Sequence, residues 1–228
     1  MLVTYAVIPA KHFAGAKQRL STLLEPHERV QLARAMLTDT LTACCQAMGL
    51  DGVGVVTHHQ APAEIAASLG AEVWWEPEAG GHSRAVQFGV QTCLQRGIHT
   101  MLTLPGDLPL ITPADVEAMA RAATPSVPVV LAPNRDDLGT NAMRLSPPDC
   151  LTLAFGHDSF QRHLHLAAAH QLAVEIRRLP RLALDIDEPE DLAFFAAHRQ
   201  AGHSLDVLTR LGLLERLASI PIPPLYEL

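Results

Sequence analysis

Aromatic residues and positive charge are both scarce in this sequence, and each shortage narrows the class of protein. Phe, Trp and Tyr make up 4% of the 228 residues, so we expect an aliphatic interior of the kind that helices form on a parallel sheet. The formal net charge of -7 argues against a nucleic-acid backbone or an anionic membrane as a partner. A nucleotide bound as a small ligand stays open, because it requires only a local basic patch.

Several familiar motifs are missing as well. The 4 cysteines form no C-x-x-C pair, so we expect free thiols. The 12 histidines form no H-E-x-x-H motif and are not grouped with cysteines, so we expect no zinc site. Neither G-x-G-x-x-G nor G-x-x-x-x-G-K-[ST] occurs, which disfavours a dinucleotide-binding fold and a P-loop NTPase. No apolar run approaches the ~20 residues of a membrane-spanning helix, and no secretory signal pattern is seen. We therefore expect a soluble, cytoplasmic protein.

Apolar runs of strand length alternate with amphipathic helical segments. We predict strands at residues 2–8, 53–57, 72–75, 101–104, 127–132, 141–145, 174–179 and 182–186. The alternation predicts an α/β fold of three α/β/α layers around a mostly parallel, mixed sheet. One domain is expected over residues 1–199, followed in 200–228 by a helix from Ser204 to Ala218 and a Pro-rich tail that pack on it or on a partner subunit.

A lone carboxylate follows one of the predicted central strands. Pro105 and Gly106 end the strand at 101–104, Asp107 comes next, and Thr112 begins a helix as its N-cap. Open α/β sheets bind their ligands at the carboxyl ends of the strands. Asp107 therefore either caps a turn or holds a metal against an anionic substrate, and this stretch alone leaves both interpretations open.

The densest basic loop of the chain follows the first predicted strand. Lys11, Lys17 and Arg19 lie within it. Their charges suit a triphosphate, which guanidinium and ammonium groups bind by charge-assisted hydrogen bonds. The alternative is a solvated surface loop.

A pair of acids lies at the end of the last predicted strand. Strand alternation puts Asp185 and Asp187 on one face. Two like charges ~4 Å apart repel by roughly 4 kcal/mol at an effective dielectric constant of 20, and a divalent cation between them reverses the sign. We therefore expect these two carboxylates and Asp107 to converge on one cation.

Two glycine-containing loops precede predicted helices. Gly81 and Ser83 open one helix, whose N-terminus is suited to a base or a phosphate, although a tight turn also requires glycine. Gly156 and Ser159 precede another helix, and free amides there suit a phosphate or a carboxylate. Simple N-capping by Asp158 or Ser159 is the alternative.

Five sequence blocks taken together resemble a known family. PAKHFAGAKQRL, LPGDLPLITPADV, GTNAM, FGHDSFQRHL and LDIDEPEDL follow one another within residues 2–195. In this order they resemble the phosphoenolpyruvate / 2-phospho-L-lactate guanylyltransferases of deazaflavin coenzyme F-420 biosynthesis. The resemblance implies a nucleotide-diphospho-sugar transferase-like fold, shared with molybdenum-cofactor guanylyltransferases. It also implies a reaction in which GTP and a phosphorylated three-carbon acid give a guanosine-diphospho-acid and pyrophosphate.

The resemblance assigns roles to individual residues. It implies Mg²⁺, or Mn²⁺ as an alternative, on Asp107, Asp185 and Asp187. Catalytic roles fall to Lys11, Lys17, Arg19 and Asp107; the nucleotide contacts Pro9, Ala10, Lys11, Gly81, Ser83 and Gly106; the acceptor acid contacts Thr140, Gly156 and Ser159. The implied partners are GTP and a small phosphorylated carboxylic acid (phosphoenolpyruvate, 2-phospho-L-lactate or 3-phosphoglycerate), with no nucleic acid or membrane and with a homodimer as an option.

Three alternative functions stay open at this point. The Asp185-Ile186-Asp187 sequence is a D-x-D, as metal-dependent glycosyltransferases use. A molybdopterin or sugar-phosphate nucleotidyltransferase would have the same fold. A non-catalytic nucleotide-sensing module is the third.

Overall fold

The computed structural model describes residues 2–78, 80–124, 126–198 and 201–222. The strands are β1 (Thr4–Pro9), β2 (Gly52–Thr57), β3 (Glu72–Trp75), β4 (Thr100–Thr103), β5 (Val129–Pro133), β6 (Thr140–Leu145) and β7 (Val174–Ile176). The helices are α1 (Pro26–Gln46), α2 (Gln60–Ser68), α3 (His82–Gln95), α4 (Pro113–Ala120), α5 (Ser159–Ala169), α6 (Pro189–Ala197), α7 (His203–Arg210) and α8 (Leu214–Leu217), with a short 3₁₀ helix at Gln18–Thr22. No helix among these residues is long and apolar enough to span a membrane.

The strands form one mixed sheet in the order β3-β2-β1-β4-β6-β5-β7. Strand β6 runs antiparallel to both β4 and β5, and every other neighbouring pair is parallel. This confirms the predicted mostly parallel sheet. Because β6 is reversed, its first residue, Thr140, lies at the edge where β1 and β4 end. That edge carries the site described below.

Two apolar layers cover the two faces of the sheet. In β1, Ala6 and Ile8 contribute to one layer and Val7 to the other, as the pleat of a strand requires. Buried residues of α1, α4, α6 and α7 pack on the first face, whereas those of α3 and α5 pack on the second. The result is the predicted three-layer α/β/α arrangement.

Helix α4 begins where the sequence predicts. The Asp115 carboxylate accepts from the Thr112 amide at 2.9 Å, and Asp115 donates its own amide to the Thr112 hydroxyl, which completes a capping box. The same carboxylate receives two hydrogen bonds from the Arg181 guanidinium, at 2.7 and 2.8 Å. This bidentate pair fixes the chain that leads to Asp185 against the start of α4.

The predicted strand at 182–186 is wrong. This segment is buried almost throughout, which explains its strand-like composition, but it forms no ladder. It is held instead by isolated hydrogen bonds, such as those from the Arg135 amide to the Ala183 carbonyl and from the Ile186 amide to the Asp107 carbonyl. Strand alternation is therefore not what positions its acids.

Two further predictions differ from the structure. Strand β7 ends at Ile176, so residues 177–179 are not part of it. The predicted single helix from Ser204 to Ala218 is two helices, α7 and α8, because the chain turns at Gly212, which has a φ of 64°. The Pro-rich tail falls partly outside the described residues, which end at position 222.

Helix α7 packs along α1 and is capped by it. The Asp39 carboxylate of α1 accepts from the amides of His203 and Ser204, each at 2.8 Å. Val207 and Leu208 then lie in the apolar layer beneath. Helix α7 is therefore anchored to the rest of the domain by both packing and an N-cap from a remote residue.

Removing this cap should destabilise the protein. We expect Asp39→Ala to lower the free energy of unfolding by about 1 to 2 kcal/mol, since two amides lose their acceptor. Asp39→Asn keeps one acceptor oxygen and should lose less. Asp149→Ala, at an exposed carboxylate, is the control and should stay within about 0.5 kcal/mol. Urea unfolding measures all three, and an unchanged midpoint for Asp39→Ala would refute the capping role.

Candidate active site

Two adjoining cavities open at the sheet edge formed by the ends of β1 and β4 and the start of β6. The basic-loop cavity has a volume of about 240 Å³ and is lined by Pro9, Ala10, Lys11, His12, Phe13, Ala16, Lys17, Ala33, Met36, Leu37, His82, Pro105, Gly106 and Asp107. The carboxylate cavity, of about 460 Å³, is lined by His82, Ser83, Thr103, Leu104, Pro105, Asp107, Thr140, Asn141, Phe155, Gly156, Asp185 and Asp187. His82, Pro105 and Asp107 are common to both.

A buried lysine joins two of the predicted acids. The Lys17 Nζ lies 2.5 Å from Asp107 Oδ2 and 3.0 Å from Asp187 Oδ1, and the lysine side chain is only 9% exposed. Burial acts to lower the pKa of Lys17, but the charges of Asp107 and Asp187 outweigh it and hold the pKa above its ordinary value. Lys17 is therefore charged, and its backbone adopts the left-handed region, with a φ of 54°.

The third acid, Asp185, carries charge that its neighbours do not neutralise. Burial and the negative charge of Asp107 together raise its pKa to about 6, although a hydrogen bond from Asn141 Nδ2 at 3.1 Å opposes this rise. The second oxygen of Asp107, Oδ1, is buried and has no hydrogen-bond partner in the described part of the chain. The carboxylate cavity is therefore lined by two carboxylates whose charge the surrounding residues do not fully compensate.

Asp187 is held from the side by α6. The Asp191 Oδ2 accepts from the amides of Asp187 and Glu188 at 2.9 and 2.7 Å, while its Oδ1 pairs with the Arg135 guanidinium. Buried Asp191 therefore caps the start of α6 and also orients the backbone of Asp187. The signal for this was the Glu188-x-x-Asp191 spacing, which is that of a capping box.

These carboxylates suit a hard divalent cation, whose ligands are oxygen atoms. Among the residues that the structure describes, however, no three or more acids, histidines or cysteines surround a common point as metal ligands would. The Lys17 ammonium bridges Asp107 and Asp187 instead. The unpartnered Asp107 Oδ1 and the raised pKa of Asp185 nevertheless fit the presence of further positive charge.

The predicted nucleotide residues divide between the cavities. Pro9, Ala10, Lys11 and Gly106 line the basic-loop cavity, and Ser83 lines the carboxylate cavity. Gly81 lines neither and is the N-cap of α3, with a φ of 85° that favours glycine. A Cβ on Gly106 would lie 2.7 Å from Leu37 Cδ1, so close packing against α1 favours this glycine even without a ligand.

Arg19 lies outside both cavities. Its guanidinium pairs with Glu188 at 2.8 Å, and its side chain is 70% exposed. Such an exposed pair contributes little to stability. Of the cations predicted to embrace a triphosphate, only Lys11 and Lys17 line the basic-loop cavity.

The predicted acceptor residues are close together but not equivalent. Thr140 and Gly156 line the carboxylate cavity, whereas Ser159 is buried behind them. The prediction of a free amide at Ser159 is wrong, because this amide donates to the Gly156 carbonyl at 3.1 Å. The Ser159 hydroxyl oxygen accepts from the Thr140 amide at 3.0 Å, so Ser159 supports the cavity wall rather than forming it.

Two histidines at this site were missed by the sequence interpretation. His82 lines both cavities, and burial together with the charge of Lys11 lowers its pKa, against the opposing charge of Asp107. His163 is fully buried on α5 and contacts Thr140. The Phe155 ring lies between them, with centroid distances of 4.7 Å to His82 and 5.2 Å to His163. The amphipathic pattern of α5 could have flagged His163, since it falls on the buried face.

Solved structures with the same fold define the class. A protein of Desulfovibrio desulfuricans G20, described as a nucleotide-diphospho-sugar transferase, gives a TM-score of 0.76 at 14% identity, over 97% of this chain and 100% of that chain. A nucleotidyl transferase from Methanothermobacter thermautotrophicus gives a TM-score of 0.63 at 20% identity, over 86% of this chain and 97% of its own. These similarities show that this chain has the fold shared by nucleotidyltransferases, with its cation- and carboxylate-lined site at the strand ends.

Sequence comparison identifies the family within this class. The family described as "Guanylyl transferase CofC like" matches residues 4–219. The phosphoenolpyruvate guanylyltransferase of Conexibacter woesei is 40% identical over 190 residues, which are 83% of this chain and 85% of the relative. The 2-phospho-L-lactate guanylyltransferase of Methanothermobacter thermautotrophicus is 34% identical over 208 residues, 91% of each chain. The chain belongs to the guanylyl transferase CofC like family, and the resemblance drawn from its motifs is confirmed.

The raised pKa of Asp185 should be measurable as a pH-dependent change in the free energy of unfolding. An acid whose pKa rises from 3.8 to about 6 on folding stabilises the fold below pH ~4 and loses this contribution as the pH rises through ~6. With a chelator present to remove divalent cations, we therefore expect Asp185→Asn to be more stable than the unsubstituted chain at pH ~7.5 by roughly 1 to 3 kcal/mol.

The difference between the two proteins should close near pH ~4, where both side chains are neutral. Asp149→Asn, at an exposed carboxylate, is the control and should show no such pH-dependent gap. Chemical unfolding at the two pH values measures it. Equal stability at the higher pH would mean that Asp185 is adequately neutralised by its neighbours.

Proposed function

We propose that this chain transfers the guanylyl group of GTP to the phosphate of a small phosphorylated three-carbon acid and releases pyrophosphate. Phosphoenolpyruvate is the first acceptor to consider, because the relative at 40% identity is named for it. 2-Phospho-L-lactate, for which the relative at 34% identity is named, and 3-phosphoglycerate are the alternatives. A guanosine-diphospho-acid of this kind would serve the biosynthesis of deazaflavin coenzyme F-420.

The observation that carries this proposal is the pair of cavities joined at Asp107 and His82. The basic-loop cavity presents Lys11 and Lys17, which suit the triphosphate of a nucleotide. The carboxylate cavity presents the Thr140 hydroxyl, which suits an anionic acid. Group transfer from a nucleotide to a second molecule requires two substrates side by side, whereas a nucleotide sensor requires only one.

In this reaction the protein mainly positions the two substrates and neutralises the charge of their phosphate groups. A phosphate oxygen of the acceptor attacks the α-phosphorus of GTP, and the bond from that phosphorus to the bridging oxygen of the β-phosphate breaks. Lys11 and Lys17 would lie beside the triphosphate oxygens, where they bind GTP and stabilise the charge on the departing pyrophosphate. Holding both substrates at one edge of the sheet supplies the proximity. Arg19 has no substrate contact in this proposal.

A divalent metal is part of the proposal. Asp107, Asp185 and Asp187 would hold Mg²⁺, with Mn²⁺ as the alternative. When bound, the ion would add positive charge against the phosphate oxygens of the substrates. The unpartnered Oδ1 of Asp107 and the raised pKa of Asp185 support this, since both mark charge that Lys17 leaves uncompensated.

The remaining partners follow from charge and surface. With a net charge of -7, we propose that neither nucleic acid nor a membrane is a partner and that the protein works in the cytoplasm. A homodimer is the simplest assembly that would go beyond a monomer. Light scattering of the purified chain distinguishes the two states.

Pyrophosphate release tests the reaction directly. We expect release with GTP and phosphoenolpyruvate together and not with either alone, and we expect GTP to be preferred among four nucleoside triphosphates. Asp107→Asn should lower kcat by about 10²-fold or more while the far-ultraviolet spectrum is unchanged.

Three results would contradict the proposed reaction. One is transfer from a sugar nucleotide without pyrophosphate release, as a glycosyltransferase gives. Another is turnover only with molybdopterin or a sugar phosphate. The third is nucleotide binding with no turnover for any acid, as a sensor gives.

Metal binding tests the acids independently of turnover. Titration with Mn²⁺, followed by the electron paramagnetic resonance signal of the free ion, should show a site that Asp107→Asn and Asp185→Asn weaken by about tenfold or more. Asp149→Asn is the control: Asp149 lines neither cavity, so this variant should bind Mn²⁺ as the unsubstituted chain does. Equal Mn²⁺ binding by all variants would refute the assignment of these ligands.

A further inference from the structure

His163 accepts one hydrogen bond that fixes its protonation state. Its Nε2 lies 3.0 Å from the backbone nitrogen of Ala154, which can only donate. Nε2 must therefore carry a lone pair, and the single proton of the neutral ring lies on Nδ1. The environment supports this state, since burial and the positive charge of Arg162 lower the pKa of His163 to about 4. The ring is neutral at physiological pH.

The fixed tautomer determines what Thr140 does. Nδ1 of His163 lies 3.0 Å from Thr140 Oγ1, so it donates to the hydroxyl oxygen. The amide of Thr140 is already used, because it donates to Ser159 Oγ. The hydroxyl proton of Thr140 finds no protein acceptor among the described residues, and Thr140 lines the carboxylate cavity. This proton is therefore directed to whatever occupies that cavity.

The same histidine braces the loop on the other side of the cavity. Its bond to Ala154 is joined by two from Arg162 Nη2, which donates to the carbonyls of Ala154 and Phe155 at 2.6 and 2.7 Å. The Phe155 ring packs edge-on against His163, and Gly156 follows it into the cavity lining. One buried side chain thus connects both walls that would contact the acceptor.

We propose that His163 is a positioning residue of the acceptor site, which makes the Thr140 hydroxyl an obligatory hydrogen-bond donor to an anionic oxygen of the phosphorylated acid. It also holds the loop of Ala154 and Gly156 at the same cavity. The inference rests on the proposed function for the identity of the ligand. It predicts an effect on the acid and not on GTP, because the basic-loop cavity does not contain Thr140.

Two substitutions separate this role from packing. His163→Phe keeps an aromatic ring beside Phe155 but removes both hydrogen bonds, and we expect the KM for the acid to rise about tenfold with the KM for GTP within about twofold. His163→Gln, which retains a donor and an acceptor, should recover part of this loss. If His163 had a merely structural role, His163→Phe would raise the two KM values together, or it would change only the melting temperature and neither KM value.

A double-mutant cycle tests whether His163 acts through Thr140. If it does, His163→Phe should raise the KM for the acid by about threefold at most once Thr140→Val has removed the hydroxyl, because only the contact with the loop of Ala154 is then left to lose. Thr140→Ser keeps the hydroxyl and should remain sensitive to His163→Phe. Fully multiplicative effects in the Thr140→Val background would overturn the proposal.

Nuclear magnetic resonance tests the inference apart from turnover. Long-range ¹H–¹⁵N spectra of the chain labelled with ¹⁵N-histidine, with His163→Gln used for assignment, should show His163 as the neutral Nδ1–H tautomer at pH ~7. An Nε2–H tautomer or an imidazolium would overturn the proposal even if the enzyme is active. Absence of pyrophosphate release with every acid, with the Nδ1–H tautomer present, would instead reject the proposed function and leave the orientation of Thr140 standing.

Discussion

The contact on which the site depends is the bridge from the Lys17 ammonium to Asp107 and Asp187. It joins the loop after β1, the end of β4 and the segment before α6, which are far apart in sequence. Without a cation at this point, the neighbouring carboxylates of Asp107 and Asp187 would repel each other. The Lys17 ammonium does not contact the third carboxylate, Asp185, whose pKa is raised first by burial and then by the charge of Asp107. The loops at this edge of the sheet are thus held together by a charge balance that is incomplete in the free protein.

A second set of contacts keeps these charged groups in place. Asp191 binds the amide of Asp187, and Asp115 binds Arg181 just before the segment that carries Asp185. On the opposite wall His163 and Ser159 hold Thr140 through its hydroxyl and its amide. Sites in which supporting residues fix the rotamers of the contacting ones lose less entropy when a ligand binds. This two-layer construction suits an enzyme whose task is to align two anionic substrates.

Local patterns predicted much of the fold. The Thr112 N-cap of α4 and the apolar runs of β1, β2 and β5 depend on neighbours within a few residues, and the sequence located them correctly to within two residues. The errors fall where an apolar run is buried without a strand partner, as at 182–186, and where one glycine, Gly212, divides a helix. Composition reports burial, but pairing with another strand is decided by distant parts of the chain.

The sequence by itself determined the layers of the fold, the family, and the acids and lysines that form the site. Only the tertiary structure decided which of them meet. It brought Lys17 between Asp107 and Asp187, left Arg19 outside with Glu188, and moved Ser159 from the cavity wall to the layer behind it. It also revealed His82, which lines both cavities, and His163, which contacts Thr140. The reason is physical: helix and strand periodicity follow from local backbone geometry, whereas charge pairing, tautomers and pKa shifts depend on groups that only folding makes neighbours.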